Sequence, residues 1–316
     1  MYQIKKIPED FIVKEISNLE IKKSGQYAYC QLEKKNWTVL GALARISSQL
    51  GINAKDIGFA GNKDKIAITE QFISIKNLNN PNKINQLNLK DIKLTYLGQG
   101  NSPICLGDLV GNYFEITVRN LDNFNFKEIK EITNYFDSQR FSSQNIEVGK
   151  SIIKKEFNQV CKRLNLEVKN NNYIGALQQI PKRLLLLYAH AYQSYLWNET
   201  VKELIQEKIR VEEIPLFGFA TELNQSKIKE AITKILKQEG INQIDFIIRP
   251  LPFLSLEGGS RKMYTPIKDF KILEKTDDEL NPEKKKVKIS FILDKGCYAT
   301  QVIKEIWDQP QSSNNL

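Results

Sequence analysis

The chain has 316 residues, 41% of them hydrophobic, and a formal charge of +9 from 46 Lys+Arg against 37 Asp+Glu. This allows one large domain or two ordinary ones with a substantial core, and the basic balance favours an anionic partner such as nucleic acid without excluding an ordinary basic enzyme. Four scattered cysteines with no C-x-x-C, one histidine (His190) and no apolar run near the membrane-spanning length of about 18 argue against a metal cluster, a disulfide framework and a membrane span; with no signal-peptide character at the start, a reducing cytoplasm is expected.

In chain order, residues 38–50, TVLGALARISSQL, read as an amphipathic helix. Val39, Leu43, Ile46 and Leu50 share one face, Thr38 can cap the start and Gly51 stands where the helix should stop. A tight turn, GFAGNKDK (58–65), follows, and AITEQFISI (67–75) reads as a strand. The Asn-rich stretch 77–89 reads as a loop, and 104–119 as a second strand region with its own Gly turn. Residues 126–136 and 182–205 predict helices, the second with Leu184, Tyr188, Ala191 and Tyr195 along one side and His190 just off that stripe. Residues 206–273 are loop-rich, with a helix at 226–238. DDELNPEKKK (277–286) reads as a solvated connection. VKISFIL (287–293) alternates, so that Val287, Ile289, Phe291 and Leu293 face one way. A turn and a closing helix, ATQVIKEIW (299–307), come next, and DQPQSSNNL (308–316) reads as frayed. No period of about 20–50 residues repeats, so a solenoid is not expected and a mixed α+β protein is.

Two phosphate-binding motifs fail on inspection. Gly149-Lys150-Ser151 would need a glycine five residues earlier for the backbone to curl round phosphates, and that position is Gln144. Asn62-Lys63-Asp64 lacks the spacer of the guanine-reading motif. The turn around Asp64 has two readings. As a plain β-turn, Gly61 and Asn62 tolerate left-handed angles, and Lys63 and Lys65 are solvated charges. As a functional turn, it presents a carboxylate, beside a cation, at the mouth of a cleft. Asn112 and Phe114 share one face of a predicted strand, Phe11 lies near the N-terminus, and Tyr298 follows the last strand. An amide and several aromatics around a carboxylate suit a flat, uncharged base. These residues alone leave both readings open.

Six segments carry a more specific signal: KKIPEDFIVKEI, GNKDKIAITEQ, GDLVGNYFEITVRNL, NYFDSQRF, LSLEGGSRKMY and SFILDKGCYATQVIKEI. Together and in this order they resemble the TruD family of tRNA pseudouridine synthases, almost end to end. The resemblance implies that Asp64 is the catalytic aspartate and Lys5 its basic partner. It implies that Phe11, Asn112 and Tyr298 contact the target uridine, that Phe114 completes the G-N-x-F pattern, and that Arg261 touches RNA. It further implies isomerisation of a tRNA uridine, U13, with no cofactor and no metal, by a monomer whose partner is tRNA. Lys63, Lys65, Arg140 and Lys262 are candidates for phosphate contacts. The implied fold is α+β: a pseudouridine synthase core with a mixed or antiparallel central sheet flanked by helices, plus an inserted α+β TRUD-type lobe. Residues 1–150 and 273–316 are assigned to the core and 151–272 to the lobe, with the 182–205 helix open to assignment to the core. The sequence departs from the family's NYFGxQRFG, which here reads Asn134 to Ser142 with Asp137 and Ser142 in place of both glycines. A non-catalytic RNA-binding or chaperone protein on the same fold is the alternative, and retention of Asp64 with Lys5 favours the enzyme.

Overall fold

The computed structural model describes residues 2–78, 80–137, 141 and 144–307, apart from the side chain of Asn85. Arg140, most of the altered loop that contains it, and the tail at 308–316 lie outside the described residues. In chain order the elements are β1 (Phe11–Ile16), β2 (Tyr27–Lys35), α1 (Val39–Leu50), β3 (Ile57–Phe59), β4 (Ile68–Lys76), β5 (Ile92–Gly100), β6 (Gly111–Leu121) and β7 (Glu131–Thr133). There follow α2 (Asn145–Ile153), α3 (Phe157–Arg163), α4 (Tyr173–Gln178), α5 (Lys182–Gln206), β8 (Glu213–Leu216), α6 (Ser226–Glu239), β9 (Gly259–Lys262), β10 (Tyr264–Pro266), β11 (Lys268–Asp277), β12 (Lys285–Asp294) and α7 (Ala299–Trp307). The chain divides into two compact units, Met1–Ile132 with Pro266–Leu316, and Thr133–Thr265, so that α2 and α5 both group with the second unit.

The first unit is built on a sheet of order β11-β12-β6-β1-β4-β2-β5, with β3 pairing β4. Neighbouring strands run antiparallel except β1 and β4, which are parallel. The sheet register follows from strand alternation. Phe11 and Val13 of β1 lie opposite Ile116 and Phe114 of β6, which lie opposite Ile289 and Phe291 of β12. These residues share one face and pack against Ala299, Val302, Ile303 and Ile306 of α7. The clean alternation of 287–293 is therefore realised: Val287, Ile289, Phe291 and Leu293 are all fully buried. Farther along the same face, Ala28, Cys30 and Leu32 of β2 and Ile73 and Ile75 of β4 pack against Val39, Leu43, Ile46 and Leu50 of α1. α1 has the predicted ends: Thr38 accepts from the Gly41 N–H at 3.1 Å, and Gly51 terminates it at φ +66°. The opposite face is charged, with Lys14 paired to Glu70 and Lys288 to Glu115.

The second unit packs α2, α5 and α6 around Val148, Ile152, Leu185, Tyr192, Leu196, Ile232 and Phe246. The Gly149-Lys150-Ser151 triplet lies inside α2, so it forms no phosphate loop. No helix among the described residues is long and apolar enough to cross a membrane.

Four local expectations are corrected. Residues 126–136 hold the short strand β7, which pairs β10, and no helix; partner strands supply the hydrogen bonds, and tertiary pairing overrides helix propensity. The 77–89 stretch contains a 3-10 turn, Pro81–Gln86, started by Asn80 accepting from the Asn82 N–H. In α5 the buried face is broader than the expected stripe: Ala191 is buried and Tyr188 and Tyr195 pack against the core, but Leu185, Ala189, Tyr192 and Leu196 are buried beside them and Leu184 is exposed. The 277–286 connection is a β11–β12 turn containing Asp278, which is buried and bonded to Arg119.

Candidate active site

Asp64 sits in the loop between β3 and β4. Neither Gly61 nor Asn62 has a positive φ, so the loop does not use the left-handed freedom that these residues offer. Side chains rising from the sheet shape it instead. Lys34 Nζ donates to the Asp64 backbone carbonyl at 2.8 Å. Lys63 Nζ meets Glu15 Oε2 at 2.5 Å, in a pair whose side chains are 6% and 1% exposed. Gln71 Nε2 donates to the Gly61 carbonyl at 3.4 Å. Lys63 is thus an anchor of the loop, and the solvated reading of that charge is overturned. Lys65 is exposed.

The three anchors come from one face of the sheet. Lys34 is opposite Thr69, and Thr69 is beside Val13; Leu32 is opposite Gln71, and Glu15 is opposite Asn112. A polar strip of Lys34, Thr69, Gln71, Glu15 and Asn112 therefore runs between the apolar patches covered by α1 and α7. Buried polar atoms are normally hydrogen-bonded. On this strip Thr69 Oγ1, Gln71 Oε1 and Asn112 Oδ1 are buried acceptors without a protein partner among the described residues.

Above the strip, Lys5 Nζ lies 3.1 Å from Asp64 Oδ1. The same ammonium stands 4.1 Å from the centroid of the Phe11 ring, within cation–π range. Lys5 itself has φ +56°, a left-handed backbone that a lysine rarely adopts. The Asp64 carboxylate is 38% exposed, so it is held from one side and open on another. Burial pushes the Lys34 ammonium down to about 8, with the Asp64 carboxylate opposing that shift and Lys63 adding to it.

The other expected site residues of this unit are placed as follows. Phe11 is 2% exposed and contacts Phe114 edge-on at 6.2 Å; Phe114 in turn lies 5.5 Å from Phe291. They form an apolar floor beneath Lys5. Asn112 is the direct cross-strand neighbour of Glu15 on one side and Leu293 on the other. Tyr298 is half-buried at the start of α7, where its carbonyl accepts from the Gln301 N–H at 3.0 Å. It follows the end of β12, where Leu293 faces Asn112.

Arg261 belongs to the second unit. Its guanidinium donates to the Asn134 backbone carbonyl at 2.9 Å and to Asn134 Oδ1 at 2.6 Å. It also lies 4.0 Å from the Phe136 ring and 5.4 Å from that of Trp197. It therefore braces the segment carrying the departure from NYFG, where Asp137 is 2% exposed. Lys262 beside it is exposed.

Sequence reasoning missed Lys34, Glu15, Thr69 and Gln71. The signal was present in the strand period. Ala28, Cys30, Leu32 and Lys34 form one inward series, and Phe11, Val13 and Glu15 another, so each series ends on an inward charge.

Comparison with known proteins points to one family. The sequence matches the family described as tRNA pseudouridine synthase D (TruD) over residues 2–167, 158–214 and 211–306. It is 30% identical to the tRNA pseudouridine synthase D of Aquifex aeolicus, over 96% of this chain and 98% of that one. A Methanocaldococcus jannaschii relative named probable tRNA pseudouridine synthase D 2 is 32% identical, over 94% of this chain and 89% of its own. Among solved structures, the Methanosarcina mazei protein described under the name tRNA pseudouridine synthase D superposes with a TM-score of 0.74 at 27% identity, covering 97% of this chain and 93% of that one.

Proposed function

The chain belongs to the TruD family of tRNA pseudouridine synthases, and we propose that it isomerises a tRNA uridine, at position 13, to pseudouridine as a monomeric cytoplasmic enzyme. The observation that carries this reading is the Asp64 carboxylate, partly open yet paired with Lys5 at 3.1 Å in a loop anchored from below. The reaction breaks the bond from C1′ to N1, turns the base and joins C1′ to C5. The C5 proton leaves and N1 gains one, so the atoms balance without a second substrate or a cofactor.

A carboxylate serves either route, as nucleophile at C1′ or as base at C2′. Lys5 orients the carboxylate and keeps a positive charge against it. The detached uracil must be caged while it turns. Tyr298, half-buried at the start of α7, stacks on it, and Phe11 and Phe114 close the floor. Asn112 Oδ1, a buried acceptor without a protein partner among the described residues, takes a base N–H. The target nucleotide leaves its stack to reach Asp64, at a cost of a few kcal/mol offset by phosphate contacts to basic side chains such as Lys65, Lys262 and Arg140. Arg261 contributes to RNA binding by stiffening the segment it braces.

The test is to map pseudouridine by carbodiimide adducts in tRNA from cells lacking the protein, and in the same tRNA after treatment with the purified chain. Loss of one site and its restoration at position 13 are expected. Loss at another position would move the substrate, and no change at any position would favour a binding protein on this fold.

A further inference from the structure

We propose that Arg119 is a positioning residue for Lys5, holding the backbone on both flanks so that the ammonium meets Asp64; this rests on the roles of Asp64 and Lys5 given above. Lys5 has φ +56°, and a lysine keeps such a conformation only where its surroundings impose it. One residue grips both sides. On the N-terminal side, the Gln3 N–H donates to the Arg119 carbonyl at 2.9 Å and the Arg119 N–H to the Gln3 carbonyl at 2.8 Å. On the C-terminal side, Arg119 Nε donates to Asp10 Oδ1 at 2.8 Å. The other oxygen of Asp10 accepts from the Lys6 N–H at 3.1 Å and the Ile7 N–H at 3.2 Å.

The guanidinium is itself fixed from a third direction. At the turn between β11 and β12, Asp278 meets it at 2.7 Å and Glu279 at 3.0 Å. Arg119 and Asp10 are 3% and 1% exposed, so neither can reach a substrate. Their effect on chemistry passes through the left-handed residue between the two grips. A bidentate, planar cation suits this task because it fixes direction as well as distance.

The experiment measures single-turnover isomerisation and tRNA affinity for Arg119→Lys and Asp10→Asn, each alone and combined with Lys5→Ala. Each single variant should slow the chemical step about tenfold or more while tRNA affinity stays within about twofold, since a displaced catalytic group costs rate before binding. In the Lys5→Ala background neither should slow the step by more than about a further twofold, because no ammonium remains to be misplaced. Losses that multiply in that background, or an unchanged rate in both single variants, overturn the proposal alone. Should Arg119→Lys fail to fold, Asp10→Asn carries the test, because it keeps Arg119 paired with Asp278 and Glu279. A Lys5→Ala enzyme as fast as wild type would instead sink the reading of Lys5, and this proposal with it.

Discussion

Lys63 and Glu15 form an ion pair at 2.5 Å, almost wholly buried beneath the turn that carries Asp64. Glu15 also accepts from the Phe72 N–H at 3.3 Å, so the carboxylate ties the loop to β4 as well as to β1. Removing one partner of a buried pair leaves the other charge uncompensated, which costs about 3–5 kcal/mol. Glu15→Gln should therefore lower the unfolding free energy by about that amount and slow turnover with it. Denaturant titration beside a rate assay checks this; a loss below about 1 kcal/mol, the range of exposed pairs, would show that the pair does not hold the loop.

Asp64→Asn keeps the shape of the turn and removes the charge. It should abolish isomerisation while RNA affinity stays within a few-fold, because the loop anchors reach the Asp64 carbonyl and Lys63, not the carboxylate. Lys5→Ala should leave measurable but reduced turnover. Tritium release from uridine labelled at C5, alongside filter binding, reads both. Wild-type turnover in Asp64→Asn would remove that carboxylate from the chemistry.

Much of this was legible in the residues. The cap and stop of α1, the alternation of β12 and the closing helix α7 follow from local rules that the fold does not override. The β7 stretch was not legible, because its hydrogen bonds depend on a strand more than a hundred residues away in sequence, and 126–136 has ordinary helix propensity on its own. Asp64 was singled out by the family resemblance, because Gly, Asn and Asp are ordinary turn residues and the turn alone reads equally as a plain β-turn. Its anchors were hidden for a different reason. Lys34 and Glu15 look like surface charges until the strand register shows them facing inward, and register is a property of paired strands. Asp278, in a run of charges that reads as solvated, is likewise buried against partners distant in sequence, Arg119 and the Asn120 N–H.

Asn112→Ala and Tyr298→Ala test the cage. Each should lower turnover more than tRNA affinity, because both side chains act on the base after it is detached, whereas affinity comes mostly from phosphates. Asn112→Ala should also leave stability nearly unchanged or raise it, since it deletes a buried acceptor that has no protein partner among the described residues. Equal losses of rate and affinity in both variants would assign these residues to scaffold.

Acid sensitivity should trace to Asp278. Burial works to raise its pKa. Hydrogen bonds from Asn281, the Asn120 and Leu280 N–H groups and Arg119 outweigh that and hold the carboxyl at about 2. A carboxyl with a depressed folded pKa stabilises the protein above its unfolded value, near 4, and that stability is lost as pH falls toward about 2. Asp278→Asn should be less stable at neutral pH, and its stability should fall less steeply than wild type between about pH 4 and 2. Parallel curves for the two proteins would rule out Asp278 as the acid-sensitive contact.

Lys34 gives the opposite pH signature. Burial holds its ammonium at about 8, below the unfolded value of about 10.4. Below pH 8 both states are protonated and the folded protein bears the full cost of a buried charge. From about pH 8 to 10.4 the unfolded chain binds a proton that the folded one has released, so stability rises with pH across that window. The wild-type minus Lys34→Met difference in unfolding free energy should therefore grow from pH 7 to 10, other groups cancelling in the subtraction. A difference that stays flat would mean that Lys34 titrates normally. Activity should follow another rule, because a neutral amine still donates to the Asp64 carbonyl, where the observed bond is 2.8 Å. Wild type should keep most of its turnover at pH 9, whereas Lys34→Met, which frees that end of the loop, should lose about tenfold or more at every pH. A wild-type rate that collapses with the Lys34 charge would show that the positive field, and not the hydrogen bond, is what Asp64 requires.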